Sequence, residues 1–317
     1  MVKQISHFDV VTVTLNPAVD RTLVIPHFSA GIVNRVGEER SHPAGKGVNV
    51  ASALADYGRN VAVTGFLGSD NASSFEELFA RKKIEDHFVR FSGLTRTGIK
   101  ITDPALQQTT DINFPGLAPA PADLEMLTQR LGNLDADYFV LAGSLPPGVD
   151  PAIYRELTMN LRSRGKKVVL DASGESLRLA VEAMPCLIKP NLHELEELLR
   201  ESLPDDQAVI KAARRFTARG IELVVVSMGR DGACFVTVDN AVIARPPDVE
   251  VKSTVGAGDA MIAGTIEGLL EQMPLSRCAQ FATAFSLDAL TSGKSGITSR
   301  GKIETLMRQV VVKEQAN

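Results

Sequence analysis

Short β-branched runs alternate along this chain with longer stretches whose apolar positions recur at helical spacing. The runs Phe8–Thr14, Val61–Phe66, Tyr138–Ala142, Lys167–Asp171, Leu187–Lys189 and Glu222–Ser227 predict strands. Helical spacing over Val48–Tyr57, Ala122–Leu131, Pro151–Arg164, Glu175–Met184, Leu192–Arg200 and Gln207–Arg219 predicts helices, with Pro151 suited to a first turn. This alternation predicts an α/β fold, a mostly parallel central sheet with helices on both faces. Roughly residues 20–42 and 87–115 break the rhythm. They carry strand-like segments, Arg21–Ile25, Gly98–Thr102 and Thr109–Asn113, with no helix between them. Neither is long enough to build its own core. They are expected to meet as a small separate sheet attached to one domain spanning 1–317. The pattern taken alone favours two plain surface hairpins; a lid over a site or a dimer contact is the alternative.

In an open parallel sheet, ligands bind beyond the carboxyl ends of the strands. Four polar stretches follow predicted strands here: Gly143–Gly148, Asp171–Gly174, Lys189–Asn191 with Glu194 a helical turn on, and Ser227–Gly232. Each alone is a routine turn. A fifth stretch, Ser253–Ala260, reads STVGAGDA and leads into the apolar run Met261–Leu270. Backbone N–H groups at a helix start lack internal partners, and glycines let several of them converge on one anion. Gly256, Ala257 and Gly258 could hold a transferring phosphoryl group, with Asp259 beside it as a base for an acceptor hydroxyl. The plain alternative makes Asp259 a helix N-cap contributing about 1 kcal/mol.

Composition narrows the field. The chain has 317 residues, 44% hydrophobic, with a formal net charge of -4. No long basic run favours nucleic acid, and no apolar stretch reaches a membrane span. The first twenty residues lack a signal peptide's apolar segment, and three scattered cysteines give no disulfide framework, so a reducing cytoplasm is expected. The five histidines show no metal-ligand spacing. There is no G-x-x-x-x-G-K-[ST], no G-x-G-x-x-G and no G-x-S-x-G, which disfavours P-loop, dinucleotide and serine-hydrolase readings.

Thr14–Asp20 (TLNPAVD), Gly45–Asn49 (GKGVN), Gly143–Gly148 (GSLPPG), Lys189–Glu194 (KPNLHE) and Ser253–Asp259 (STVGAGD) together resemble the ribokinase/PfkB carbohydrate kinase family over essentially the whole chain. The resemblance is nearest to the branch acting on fructose 1-phosphate and tagatose 6-phosphate. It implies a ribokinase-like fold with a β-sheet lid and transfer from ATP, with Mg2+, to a sugar-phosphate hydroxyl. Asp259 would be the base and Gly256, Ala257 and Gly258 the anion hole. Asp20, Gly45, Lys46, Asn49, Arg96 and Ser144 would bind the sugar phosphate. Lys189, Asn191, Glu194, Ser227, Gly229, Gly232 and Thr254 would border the nucleotide, Glu194 reaching the metal through water. Asp171 is expected either near the metal or as a support for the Ser173–Gly174 turn.

Lys46, between two glycines, matches a second phosphate on the sugar. The family's minor 6-phosphofructokinase has glycines there and a lysine in its first lid segment, where this chain has Ile32. Phosphorylation of fructose 1-phosphate at C6 is therefore expected. Tagatose 6-phosphate, fructose 6-phosphate and a non-catalytic sugar-phosphate sensor are the alternatives. Exposed strand segments that cannot bury themselves alone suggest a homodimer through the lid.

Overall fold

A computed structural model describes residues 7–293 and 296–315. Among these residues, eleven strands build the main sheet. Parallel strands run side by side in the order Glu85–Asp86, Val61–Gly68, His7–Thr14, Asp135–Ala142, Lys167–Asp171, Leu187–Ile188 and Leu223–Ser227. Ala233–Val236, Ala241–Arg245 and Val311–Gln315 extend one edge antiparallel.

The central strands read as continuous apolar runs because both faces are covered. Alternate side chains enter two separate cores. Val10, Val63, Val140, Val169 and Val225 pack against the helices Lys46–Tyr57, Ser73–Lys82, Ala257–Leu270, Leu275–Ser292 and Arg300–Met307. Val11, Val13, Phe139, Leu141 and Leu170 pack against Pro121–Gly132, Ile153–Ser163, Gly174–Ala180, Leu192–Leu199 and Asp206–Thr217. The expected α/β architecture and every predicted strand are present. Two helices differ at their ends. Pro151 lies in the turn before Ile153–Ser163, and the segment after Gly174 tightens at Val181–Ala183 into a 3-10 turn.

The small separate sheet has the order Glu38–Ala44, Ala18–Val24, Thr97–Asp103, Gln108–Asn113. Its boundaries differ from the sequence expectation. Val89–Phe91 pairs with Phe66–Gly68 in the main fold, because Val89 is fully buried in the core. The first excursion, in turn, reaches from Ala18 to Ala44. One carboxylate ties the two excursions together. Asp103 accepts the backbone N–H groups of His27, Phe28, Ala105 and Leu106 at 2.8–3.1 Å. Burial opposes its charge, yet these donors hold its carboxyl below the usual range.

The helix Ala257–Leu270 is buried on nearly all sides. It lies against Leu275–Ser292 through two glycines spaced i, i+4. A Cβ on Gly264 would stand 2.7 Å from the Ala282 Cα, and one on Gly268 would stand 2.6 Å from the Cys278 Sγ. The two backbones are thus as close as glycine permits. Gly264→Ala should lose about 1–3 kcal/mol of stability by overpacking. Gly301→Ala, where a Cβ meets nothing within 4 Å, should be neutral or gain up to about 1 kcal/mol. Urea unfolding midpoints of the two variants check the contrast; equal midpoints would refute the packing argument.

Candidate functional site

The parallel strands all end on one edge, so their polar ends gather there. The Gly143 N–H bonds the Asp171 carbonyl at 3.0 Å, and the Ser227 N–H bonds the Pro190 carbonyl at 3.1 Å. These contacts stitch neighbouring strand ends together. Across from them stands the start of Ala257–Leu270. Gly256 caps this helix with φ 78°, a left-handed conformation that glycine adopts without strain. Asp259 is therefore not the cap. It sits inside the first turn and is 7% exposed.

Its partner comes from 210 residues earlier. Asn49, on the helix Lys46–Tyr57, donates from Nδ2 to the Asp259 Oδ2 at 2.7 Å. Burial and the nearby Asp171 charge push the Asp259 carboxyl up to about 6, while Asn49, Lys46 and Lys189 restrain the rise. At neutral pH it is mostly ionised, yet poised to accept a proton. Asp171, 1% exposed, meets the Lys46 Nζ at 3.2 Å and the Lys189 Nζ at 3.5 Å. Burial opposes its charge, but the two lysines hold its carboxyl below the usual range. A Cβ on Gly258 would lie 3.3 Å from the Lys189 Nζ, so that ammonium borders the glycine turn directly.

Two cavities meet at the glycine turn, and Thr254 lines both. One, of about 470 Å³, runs past Asn191, Ser227, Gly229, Gly232 and Gly258 toward apolar walls that include Val251 and Leu287. Asn191 and Glu194 form a reciprocal capping box at its rim, each side chain accepting the other's backbone N–H at 2.8 Å. The other cavity, of about 250 Å³, lies between Gly256 and the small sheet and is lined by Asn49, Arg40, His42 and Lys100.

Asp20 is buried in the small sheet beside that second cavity, 3.5 Å from the Lys100 Nζ. A Cβ on Gly98 would collide with its carboxylate at 2.3 Å, so glycine keeps the space for this acid. Arg96 and Ser144 gather at Asn16. The Arg96 Nε donates to the Asn16 carbonyl at 3.2 Å, and the Asn16 Nδ2 donates to the Ser144 Oγ at 3.4 Å. Gly45 ends the strand Glu38–Ala44 and starts the helix bearing Lys46 and Asn49.

Of the residues singled out from sequence, Asn191, Ser227, Gly229, Gly232, Ala257 and Gly258 line the larger cavity, Asn49 and Gly256 the smaller and Thr254 both, whereas Asp20, Gly45, Lys46, Arg96, Ser144, Lys189, Glu194 and Asp259 line neither. Asn16, Arg40, His42 and Lys100 were missed as individual residues. Asn16 stood inside the quoted TLNPAVD motif. The other three alternate along strands of the small sheet and carry no local signal.

Known proteins resemble this chain in sequence and in fold. The pfkB family carbohydrate kinase pattern matches residues 4–300. A 1-phosphofructokinase of Rhodobacter capsulatus is 46% identical over 307 residues, covering 96% of this chain and 97% of that protein. The 1-phosphofructokinase of Escherichia coli K12 is 40% identical over 303 residues, covering 95% and 97%. The crystal structure of Escherichia coli phosphofructokinase-2 in complex with substrates and products superposes with a TM-score of 0.88 at 28% identity, covering 94% of this chain and 98% of that one. The chain belongs to the pfkB family of carbohydrate kinases, ATP-dependent phosphotransferases with a sugar hydroxyl as acceptor.

Proposed function

We propose that this chain transfers the γ-phosphoryl group of ATP to the C6 hydroxyl of D-fructose 1-phosphate, giving fructose 1,6-bisphosphate. The observation that carries the reading is the meeting of two cavities at the turn Thr254–Gly258, with the buried Asp259 carboxylate next in the chain. The relatives named 1-phosphofructokinases, at 40–46% identity, support the choice of sugar.

In this reading the adenine end of ATP occupies the larger cavity, and its phosphates extend past Ser227, Gly229 and Thr254 to the N–H groups of Gly256, Ala257 and Gly258. Mg2+ neutralises the nucleotide's phosphate charge when bound. Glu194 is the residue that would hold it, through water. Glu194 commits Oε2 to its capping bond, which leaves the other oxygen for a water on the ion. Asp20 and Asn49 accept and donate hydrogen bonds to the sugar hydroxyls. Arg96, with Ser144 and Asn16, holds the phosphate that the sugar already carries. Asp259 takes the hydroxyl proton as the new P–O bond forms and the bond to the bridging oxygen of ATP breaks, releasing ADP.

Initial rates with fructose 1-phosphate, tagatose 6-phosphate, fructose 6-phosphate and ribose should give the highest kcat/KM on fructose 1-phosphate. Asp259→Asn should fold normally and lose about 10²-fold or more in kcat, the scale of a positioned base. A preference for ribose, or near-normal turnover by this variant, would overturn the assignment.

The raised Asp259 pKa sets the pH dependence. The base form is lost as pH falls through about 6. The kcat/KM for fructose 1-phosphate should therefore be flat near pH 7.5 and fall about tenfold per unit well below 6. An acid limb near pH 4, the ordinary carboxylate range, would contradict this environment for Asp259.

The small sheet also supports a homodimer. Its strand register puts Ile99 beside Ile112 on the face turned away from the site, and Ile112 is 46% exposed. Phe114, Ile32, Val33 and Val36 are exposed apolar residues elsewhere on the two excursions. Light scattering should give twice the chain mass, and Ile112→Glu should halve it. A wild-type monomer at assay concentration would refute the dimer.

A further inference from the structure

The Lys46 and Lys189 ammonium groups rest on the same oxygen, Oδ1 of Asp171, at 3.2 and 3.5 Å. They approach it from opposite sides of the site in sequence terms. Lys46 begins the helix that carries the sugar-side Asn49, and Lys189 follows the central strand Leu187–Ile188 on the nucleotide side. Laid end to end, the two distances keep the ammonium groups within about 6.7 Å of each other. One phosphoryl group can bond both at ordinary charge-assisted distances of about 2.7–2.9 Å.

Two cations held this close repel each other, and Asp171 is the carboxylate that touches both. Asp171 is 1% exposed, and its second oxygen, Oδ2, has no hydrogen-bond partner. Such a buried, half-satisfied acid weakens a fold unless its surroundings have a use for it. The use visible here is spacing. The acidic groups that reach Lys46 are Asp171, Asp259 and Glu194, all around the glycine turn. Arg96 answers instead to Asp20 and to the carbonyls of Asn16 and Phe114. Lys46 and Arg96 therefore belong to different neighbourhoods.

We infer that Asp171 is a positioning residue that spaces Lys46 and Lys189 as a pair around the phosphoryl group in flight. Lys46 then acts on the group being transferred and on the new phosphate of the product, and Arg96 on the phosphate present from the start. This changes the sequence expectation, which gave Lys46 to the sugar's existing phosphate. The inference rests on the kinase reading above and deepens it.

The test uses the full chain with Mg-ATP and the sugar phosphate that the wild type turns over best. Lys46→Met should lower kcat by about 10²–10³-fold, the scale of one lost transition-state donor. Its Kd for the sugar phosphate without nucleotide, by calorimetry, should stay within about threefold, and Lys46→Arg should recover part of the rate. Arg96→Met should do the reverse, weakening sugar-phosphate binding about tenfold or more with a smaller change in kcat. Asp171→Asn should lower kcat at unchanged Kd, and the Lys46→Met/Asp171→Asn double variant should fall less than the product of the singles.

Lys46→Met that weakens sugar-phosphate binding tenfold while keeping kcat within threefold would overturn the inference, as would full multiplicativity in the double variant. If Asp171→Asn fails to fold, the contrast of Lys46→Met with Arg96→Met still decides it. A wild type inert on fructose 1-phosphate but active on another ketose phosphate would remove the substrate reading alone. The lysine assignment would then stand or fall on the same variants with that sugar.

Discussion

A sheet covered on both faces leaves no side of its strands for polar chemistry. Val10, Val11, Phe139, Val140 and Leu170 all vanish into one core or the other. Charged groups can enter only where the strands stop. Because the central strands are parallel, they stop together, and Asp171, Lys189 and Ser227 arrive at one rim from distant parts of the chain. The same burial that forbids charge along the strands raises its strength at their ends. There, low local polarity lets a few side chains dominate one another's protonation.

The glycine turn completes that rim from the opposite side. Asp259 is dry because its helix is buried, and the helix is buried because Gly264 and Gly268 let a neighbour lie against it. Packing and acid–base character are thus one arrangement. Asn49 holds the carboxylate from another helix, so the acid and the glycine turn share one element and the amide that orients the acid comes from a second.

Much of this was legible in the sequence. Apolar runs such as Val61–Phe66 and Tyr138–Ala142 could only be central strands, and their polar continuations marked the rim. The quoted motifs brought together Asp20, Lys46, Asn49 and Asp259, which local patterning could not have joined across more than 200 residues. Other features were hidden for physical reasons. Glu38–Ala44, reading EERSHPA, is an edge strand with a solvated face, so it has no apolar signature. Val89–Phe91 is too short to betray which sheet it joins. The capping box shows the limit of motif reading. Asn191 and Glu194 fulfil a plain structural role at the start of their helix, whatever else they touch. Nor could spacing alone reveal that Lys46 and Lys189 share one oxygen.

The close contact between the helices Ala257–Leu270 and Leu275–Ser292 has a consequence for how such an enzyme can diverge. With backbones already touching, Asp259 cannot slide along the helix axis to suit a differently shaped acceptor. The small sheet is under no such restraint. It has a solvated face and presents Arg40, His42 and Lys100 to the smaller cavity from alternating strand positions. New acceptor preferences can therefore be acquired by repainting this plate while the machinery opposite stays fixed, a division of labour that keeps novelty from endangering turnover.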